Sequence, residues 1–139
     1  LARGIKALVV ACNTATSAAI RDLRSAYPEL IIIGIEPALK LAADKFPGGH
    51  LGVMATPMTL RERKFAALMA KYEGNCRVYK LPAPGLVELI ESGRADSPET
   101  DALLKKLFET CPEKPDAVVL GCTHYPFLRP VLRRLLGRA

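Results

Sequence analysis

Along this chain, short continuous apolar runs alternate with stretches whose apolar positions recur at helical spacing. Ile5 to Ala11 (IKALVVA) predicts a buried strand, and Thr14 to Ala26 a helix ended by Tyr27-Pro28. Leu30 to Ile35 (LIIIGI) predicts a second strand, followed by a helix from about Pro37 to Lys45 that stops at Phe46-Pro47-Gly48-Gly49. His50 to Ala55 (HLGVMA) is a third strand, and Pro57 to Lys71 a helix with proline in its first turn. Arg77 to Leu81 is a weaker strand, Gly85 to Ser92 a short helix, and Ser97-Pro98-Glu99 opens a longer one. Asp116 to Gly121 (DAVVLG) predicts the last strand, which leads into a helix through Pro126 to Leu136.

Strands that are continuous β-branched runs, alternating with helices, indicate an α/β fold of parallel sheets with flanking helices covering both faces. The Pro47-Gly48-Gly49 break combines a helix stop with two flexible residues, so it divides the chain into 1–47 and 48–139. There is one internal echo. Val9-Val10-Ala11-Cys12-Asn13-Thr14 and Val119-Leu120-Gly121-Cys122-Thr123-His124 both read as apolar strand, small residue, cysteine, then polar residues opening a helix.

Composition narrows the class. Half of the 139 residues are apolar, enough for one compact domain or two small lobes with a real core. No apolar run reaches the roughly 18 residues of a membrane-spanning helix. Leu1-Ala2-Arg3-Gly4 resembles neither an initiator nor a signal peptide, and reads as a cut in the loop before a strand. The cysteines, Cys12, Cys76, Cys111 and Cys122, are widely and irregularly spaced, which favours reduced thiols and a cytoplasmic location. The formal charge of +6 raises nucleic acid as a partner, but the basic residues are scattered and not interleaved with aromatics. Arg129, Arg133, Arg134 and Arg138 read as a solvated helix face. A modest positive potential equally suits a small acidic substrate.

In open α/β folds, ligands bind beyond the carboxyl ends of the strands. Cys12 and Cys122 both fall there, each at the start of a predicted helix, where unpaired amides favour anions and hence thiolate. Taken singly, each is as readily a small core residue; the matched pair favours function. Cys76 and Cys111 lack that context and read as structural. His124, two residues after Cys122, could tune or share its proton, although by itself it reads as a solvent-facing residue at a helix start. His50 reads as a surface residue without polar company. Thr56 and Thr59, after the third strand, suit either a helix cap or a ligand carboxylate. Glu91 sits near a helix end where the dipole disfavours it, a weak sign of a role against the default of a surface acid. Glu36 is by the same default a helix-start acid. A zinc site of Cys12, Cys122 and His124 is a poor match, because zinc ligands come in close-set pairs.

These residues carry a resemblance. Val10-Ala11-Cys12-Asn13-Thr14-Ala15 and Leu120-Gly121-Cys122-Thr123-His124-Tyr125-Pro126 resemble the two cysteine motifs of glutamate racemases, in the right order and roughly a hundred residues apart. Gly34-Ile35-Glu36-Pro37-Ala38, Gly52-Val53-Met54-Ala55-Thr56 and Leu86-Val87-Glu88-Leu89-Ile90-Glu91 resemble that family's intervening segments. The resemblance implies a two-lobed α/β enzyme, one lobe only partly present, that interconverts L- and D-glutamate for peptidoglycan without a cofactor or metal. It implies Cys12 and Cys122 as the acid/base pair, His124 and Glu91 as their assistants, and Asn13, Thr14, Thr56, Thr59 and Thr123 as substrate contacts. It is compatible with a homodimer.

The chain also departs from the family. The Asp-Ser-Gly motif and the Tyr-Gly segment that precede the first cysteine are absent, as are the strand and helix that follow the second motif. Phe65 stands where many members have tyrosine. The expectation is therefore a piece of the enzyme, inactive on its own. Two alternatives remain: a related two-cysteine enzyme acting on aspartate, a hydantoin or maleate, and a non-catalytic ligand-binding module.

Overall fold

A computed structural model describes residues 4–35 and 38–137. The readings placed on Glu36, Pro37, Arg138 and the first three residues lie outside the described residues. Five strands, β1 (Ala7–Val10), β2 (Ile31–Gly34), β3 (His50–Ala55), β4 (Arg77–Pro82) and β5 (Ala117–Leu120), form two parallel sheets. One pairs β1 with β2; the other has the order β4-β3-β5. The helices are α1 (Asn13–Ala26), α2 (Leu39–Lys45), α3 (Pro57–Arg61), α4 (Arg63–Ala70), α5 (Leu86–Glu91), α6 (Pro98–Phe108) and α7 (Arg129–Leu136), with a 3-10 turn at Tyr125–Leu128. The parallel α/β class predicted from the pattern is the one observed. Among the described residues, no helix is long and apolar enough to cross a membrane.

The three-stranded sheet is the middle layer of a sandwich. Its central strand β3 is fully enclosed at Leu51, Val53, Met54 and Ala55. Alternation along the strand sends Leu51 and Val53 to one face, with Leu39, Ala43, Phe65 and Met69 of α2 and α4. Met54 points to the other, with Leu86, Leu104, Leu128 and Val131. Each fully enclosed aliphatic side chain contributes about 1.5–3 kcal/mol of transfer free energy. Although α2 precedes the Pro47-Gly48-Gly49 break, it packs on this second sheet.

In the β1–β2 sheet, which belongs to the lobe expected to be only partly present, one of the two faces is covered among the described residues. Helix α1 covers one, burying Thr16 and Ile20 beside Ile32, while Val9, Ile31 and Ile33 on the other remain exposed. The sequence pattern cannot reveal this, because the strands carry the apolar residues of a two-sided burial whether or not a second layer is there.

The predicted helix over Pro57–Lys71 is broken in two. Glu62 adopts an extended conformation (φ −64°, ψ 129°) between α3 and α4. Around a straight helix, Phe65 and Met69 would sit roughly 80–120° away from Thr59. The break turns Thr59 toward α1 and both apolar residues toward the sheet, and no glycine or proline marks it. The helix expected through Pro126–Leu136 likewise begins as a 3-10 turn and becomes α-helical only at Arg129. By contrast α6 follows its sequence signals. Ser97 caps it by accepting from the Thr100 amide, Pro98 occupies the first turn, and acidic and basic residues lie at the ends the dipole favours.

Two surface readings change. His50 has polar company: Nδ1 lies 3.3 Å from Glu113, the ring packs edge-on to Tyr79, and the side chain is only 17% exposed. Arg134 is not simply solvated, because its guanidinium donates to Asp96 (2.7 Å) and Asp101 (2.8 Å).

Where β5 ends, Gly121 donates to the Met54 carbonyl (2.7 Å), and a Cβ there would lie 2.8 Å from that oxygen and 3.0 Å from the Ala55 Cβ. Both obstacles are short and fixed. Gly121→Ala is therefore expected to destabilise the chain by about 1–3 kcal/mol in urea unfolding. Gly74→Ala, at a site with nothing within 4 Å, should leave the midpoint nearly unchanged.

Candidate active site

Parallel strands end at one edge of their sheet, so the segments after them gather there. Cys12 follows β1 as the extended N-cap of α1, and its carbonyl accepts the first helical bond from Thr16 (2.8 Å). Its thiol thus lies beside the unpaired amides of a 14-residue helix. Cys122 follows β5, but only a 3-10 turn comes after it, so the two settings are less alike than the sequence echo suggests. Both thiols are free and partly exposed. Cys76 is buried with its sulfur 3.3 Å from the Phe46 carbonyl, and Cys111 packs at the edge of a core, where burial raises its pKa.

Around Cys122 a polar chain joins the turn after β5 to the end of α5. His124 Nδ1 is 3.7 Å from the Cys122 sulfur, and His124 Nε2 is 2.9 Å from Glu91 Oε1 at the end of α5. The carboxylate fixes the ring so that one nitrogen faces the sulfur. His124 therefore faces a thiol and a carboxylate rather than solvent alone, and Glu91 has a partner 33 residues away in sequence. Beneath them Tyr125 is completely buried and donates to the Ala83 carbonyl (3.2 Å), tying the turn after β5 to the end of β4.

The Cys12 side reaches across to this sheet. Asn13 Nδ2 donates to the Gly121 carbonyl (2.9 Å), joining the residue after one cysteine to the residue before the other. Thr14, on α1, shares a short hydroxyl contact with Thr59, which in turn lies 3.0 Å from the Thr56 hydroxyl. Thr56 caps α3 by accepting from the Thr59 amide (3.2 Å). Thr59 is 2% exposed, whereas Thr123 is exposed on the turn. Thr14, Thr59 and Thr56 are thus one connected group, Asn13 pairs separately with Gly121, and Thr123 stands apart from both.

Further contacts cross from α1 without any signal in the periodicity. Ser17 approaches Glu62 at 3.4 Å, and Lys64 donates to the Ser17 carbonyl (3.3 Å). Thr16 donates to the Val10 carbonyl and accepts from the Ile35 amide, fastening α1 to its own sheet. A cavity of ≈ 400 Å³ opens between α1 and α4, bordered by Asn13, Ile20, Ile35, Thr59, Phe65 and Leu68. Neither Cys12 nor Cys122 lines it, so it adjoins the thiol site only through Asn13 and Thr59. Among the described residues, no three His, Cys, Asp or Glu side chains are grouped to hold a metal ion.

A parallel α/β chain with one free cysteine after a strand of each sheet, bridged by asparagine and threonine, defines the class: a two-cysteine α/β protein. The family model for Asp/Glu/Hydantoin racemase matches residues 1–139, and the chain belongs to that family. Glutamate racemase of Clostridium novyi is 52% identical over 138 residues, covering 99% of this chain and 53% of the relative. Among solved structures, Escherichia coli glutamate racemase in complex with L-glutamate and the activator UDP-MurNAc-ala is similar with a TM-score of 0.84 and 32% identity, covering 97% of this chain and 52% of that one. The Francisella tularensis enzyme in complex with D-glutamate follows at 0.76 and 26%, covering 97% and 51%. The chain thus spans about half the length of the relatives it matches.

Burial, the neighbouring Cys122 and Glu88 together raise the Tyr125 pKa well above the usual value of about 10. The unfolded chain releases this proton first as pH rises, so ν_U falls below ν_N and stability declines above about pH 10. In Tyr125→Phe that alkaline decline should be shallower, while stability at neutral pH falls by about 1 kcal/mol for the lost hydrogen bond. Urea midpoints measured from pH 7 to 11 check both.

Proposed function

We propose that the intact protein is a glutamate racemase that interconverts L- and D-glutamate through Cys12 and Cys122, without an organic cofactor or metal. The observation that carries this reading is the Asn13–Gly121 hydrogen bond, which draws the two cysteine-bearing segments to one place although they belong to different sheets. Support comes from the family membership and from similar enzymes described with L- and with D-glutamate. The lobes are 1–47 and 48–139, with α2 packed across that division onto the second sheet.

Inversion at Cα requires removal of a proton from one face and delivery of a proton to the other. One sulfur as thiolate takes the α-proton, leaving its electron pair on Cα, and the other as thiol returns a proton from the opposite side. For the reverse hand the roles exchange. Without a cofactor to spread the charge, the carbanion depends on fixed donors around the α-carboxylate: the α1 amides and the hydroxyls of Thr14 and Thr123. Thr56 and Thr59 orient that hydroxyl group from the second sheet, and Asn13 faces the same region. Glu91 holds His124 against Cys122, which lets the imidazole assist proton movement at that sulfur. The product fits peptidoglycan synthesis in the cytoplasm, where D-glutamate is consumed.

In the full-length protein, Cys12→Ser and Cys122→Ser are each expected to lower racemisation by at least about 1,000-fold. Each variant should still exchange the α-proton of a single enantiomer, a different one in each, when L- and D-glutamate are incubated in heavy water. Equal exchange of both enantiomers by one variant would rule out the paired-thiol mechanism. Near-normal turnover would return that cysteine to a packing role. The wild type should keep its activity through exhaustive dialysis against a chelator; loss restored by zinc would contradict the metal-free mechanism. Turnover of aspartate in preference to glutamate would move the protein to the related substrate class.

A further inference from the structure

Asn13 is the first residue of α1 and only 8% exposed, an expensive place for a carboxamide unless its polar atoms are paired. Only one end is paired. Nδ2 donates to the Gly121 carbonyl, whereas Oδ1 is buried with no hydrogen-bond partner among the described residues. The receiving carbonyl is a rigid anchor. Gly121 is itself bonded to Met54, and its lack of a side chain lets it lie flat against Ala55. The donor rides on α1, directly after Cys12, while the acceptor directly precedes Cys122. The Thr14–Thr59 and Ser17–Glu62 contacts also join α1 to the second sheet's helices, but neither has an end next to Cys122.

We propose that Asn13 is a positioning residue whose carboxamide latches the Cys12 segment to the Cys122 segment and thereby sets the separation of the two thiols. This rests on the two-cysteine reading above, and it assigns Asn13 a role toward the thiols beyond contact with substrate. The latch acts between backbone segments, so it governs both directions of proton transfer equally.

Two measurements separate the latch from its alternatives. In the 139-residue chain, NMR should show the Asn13 side-chain amide protons exchanging at least about tenfold more slowly than those of the exposed Asn75. A hydrogen-bond coupling from Asn13 Nδ2 to the Gly121 carbonyl carbon should accompany that protection. This needs no turnover, so it stands or falls apart from the racemase reading; Asn13 exchange as fast as that of Asn75 would overturn the latch.

In the full-length protein, Asn13→Ala should lower kcat by about 100-fold in both directions, with a smaller change in KM. Asn13→Asp should be as poor at pH 8, where a carboxylate faces the Gly121 carbonyl. It should recover part of kcat as pH falls and the protonated acid can donate, relative to Asn13→Ala under the same conditions. If Asn13 acts only as a substrate contact, both variants would raise KM and keep kcat, and Asn13→Asp would bind an ammonium as well as the wild type does. That pattern would refute the proposal. A wild-type protein with intact Asn13 protection but no glutamate racemisation would count against the proposed function and leave the latch in place.

Discussion

The enclosure of β3 between two parallel neighbours governs what the rest of the chain can do. Leu51 to Ala55 are almost wholly removed from water, and both edges of the strand are hydrogen bonded, to β4 and to β5. Such a strand cannot slide by one residue without exchanging its two core faces. Its carboxyl end is therefore a fixed point. Thr56 leaves from it, Ala83 and Gly121 pair beside it, and Cys122 follows one residue later. The polar groups of the site inherit their precision from this apolar constraint, because the elements that carry them are pinned within a few residues of it.

The order of elements was legible because both signals behind it are local. Continuous β-branched runs and capped amphipathic stretches describe β1 to β5, α1 and α6 to within a few residues. The break at Glu62 was not legible, since it answers to Thr14 and to the sheet core, neither of which is near it in sequence. The same holds for His50. Its partners Glu113 and Tyr79 come from a loop and a strand that only the sheet order brings together. The uncovered face of β1–β2 escaped because an apolar strand residue carries no record of whether another layer lies over it.

The site divides in the same way. The cysteines could be found from their place after strands, and the link from His124 to Glu91 was available only through family resemblance, since 33 residues separate them. The connections from Asn13 to Gly121 and from Thr14 to Thr59 are tertiary facts. Their residues were in view as polar positions flanking strand ends, but which hydroxyl or amide meets which partner depends on how α1 sits against the second sheet. The likeness of the two cysteine motifs was also partly superficial: one cysteine caps a long helix, while the other precedes a tight turn anchored by Tyr125.

The two-stranded β1–β2 sheet gives the chain an uneven cooperativity. The three-stranded sheet is stabilised from both sides, whereas the smaller one depends on α1 and on the few hydrogen bonds that α1 makes across to α3, α4 and Gly121. A sheet of two strands with one covered face is close to the lower limit of independent stability. Opening of β1, α1 and β2 as a unit therefore requires much less free energy than global unfolding. Heating or denaturant would release this unit first, so Cys12 would lose its ordered surroundings while Cys122 kept its own. The main unfolding midpoint would then report the three-stranded sheet, where Gly121 and Tyr125 pack.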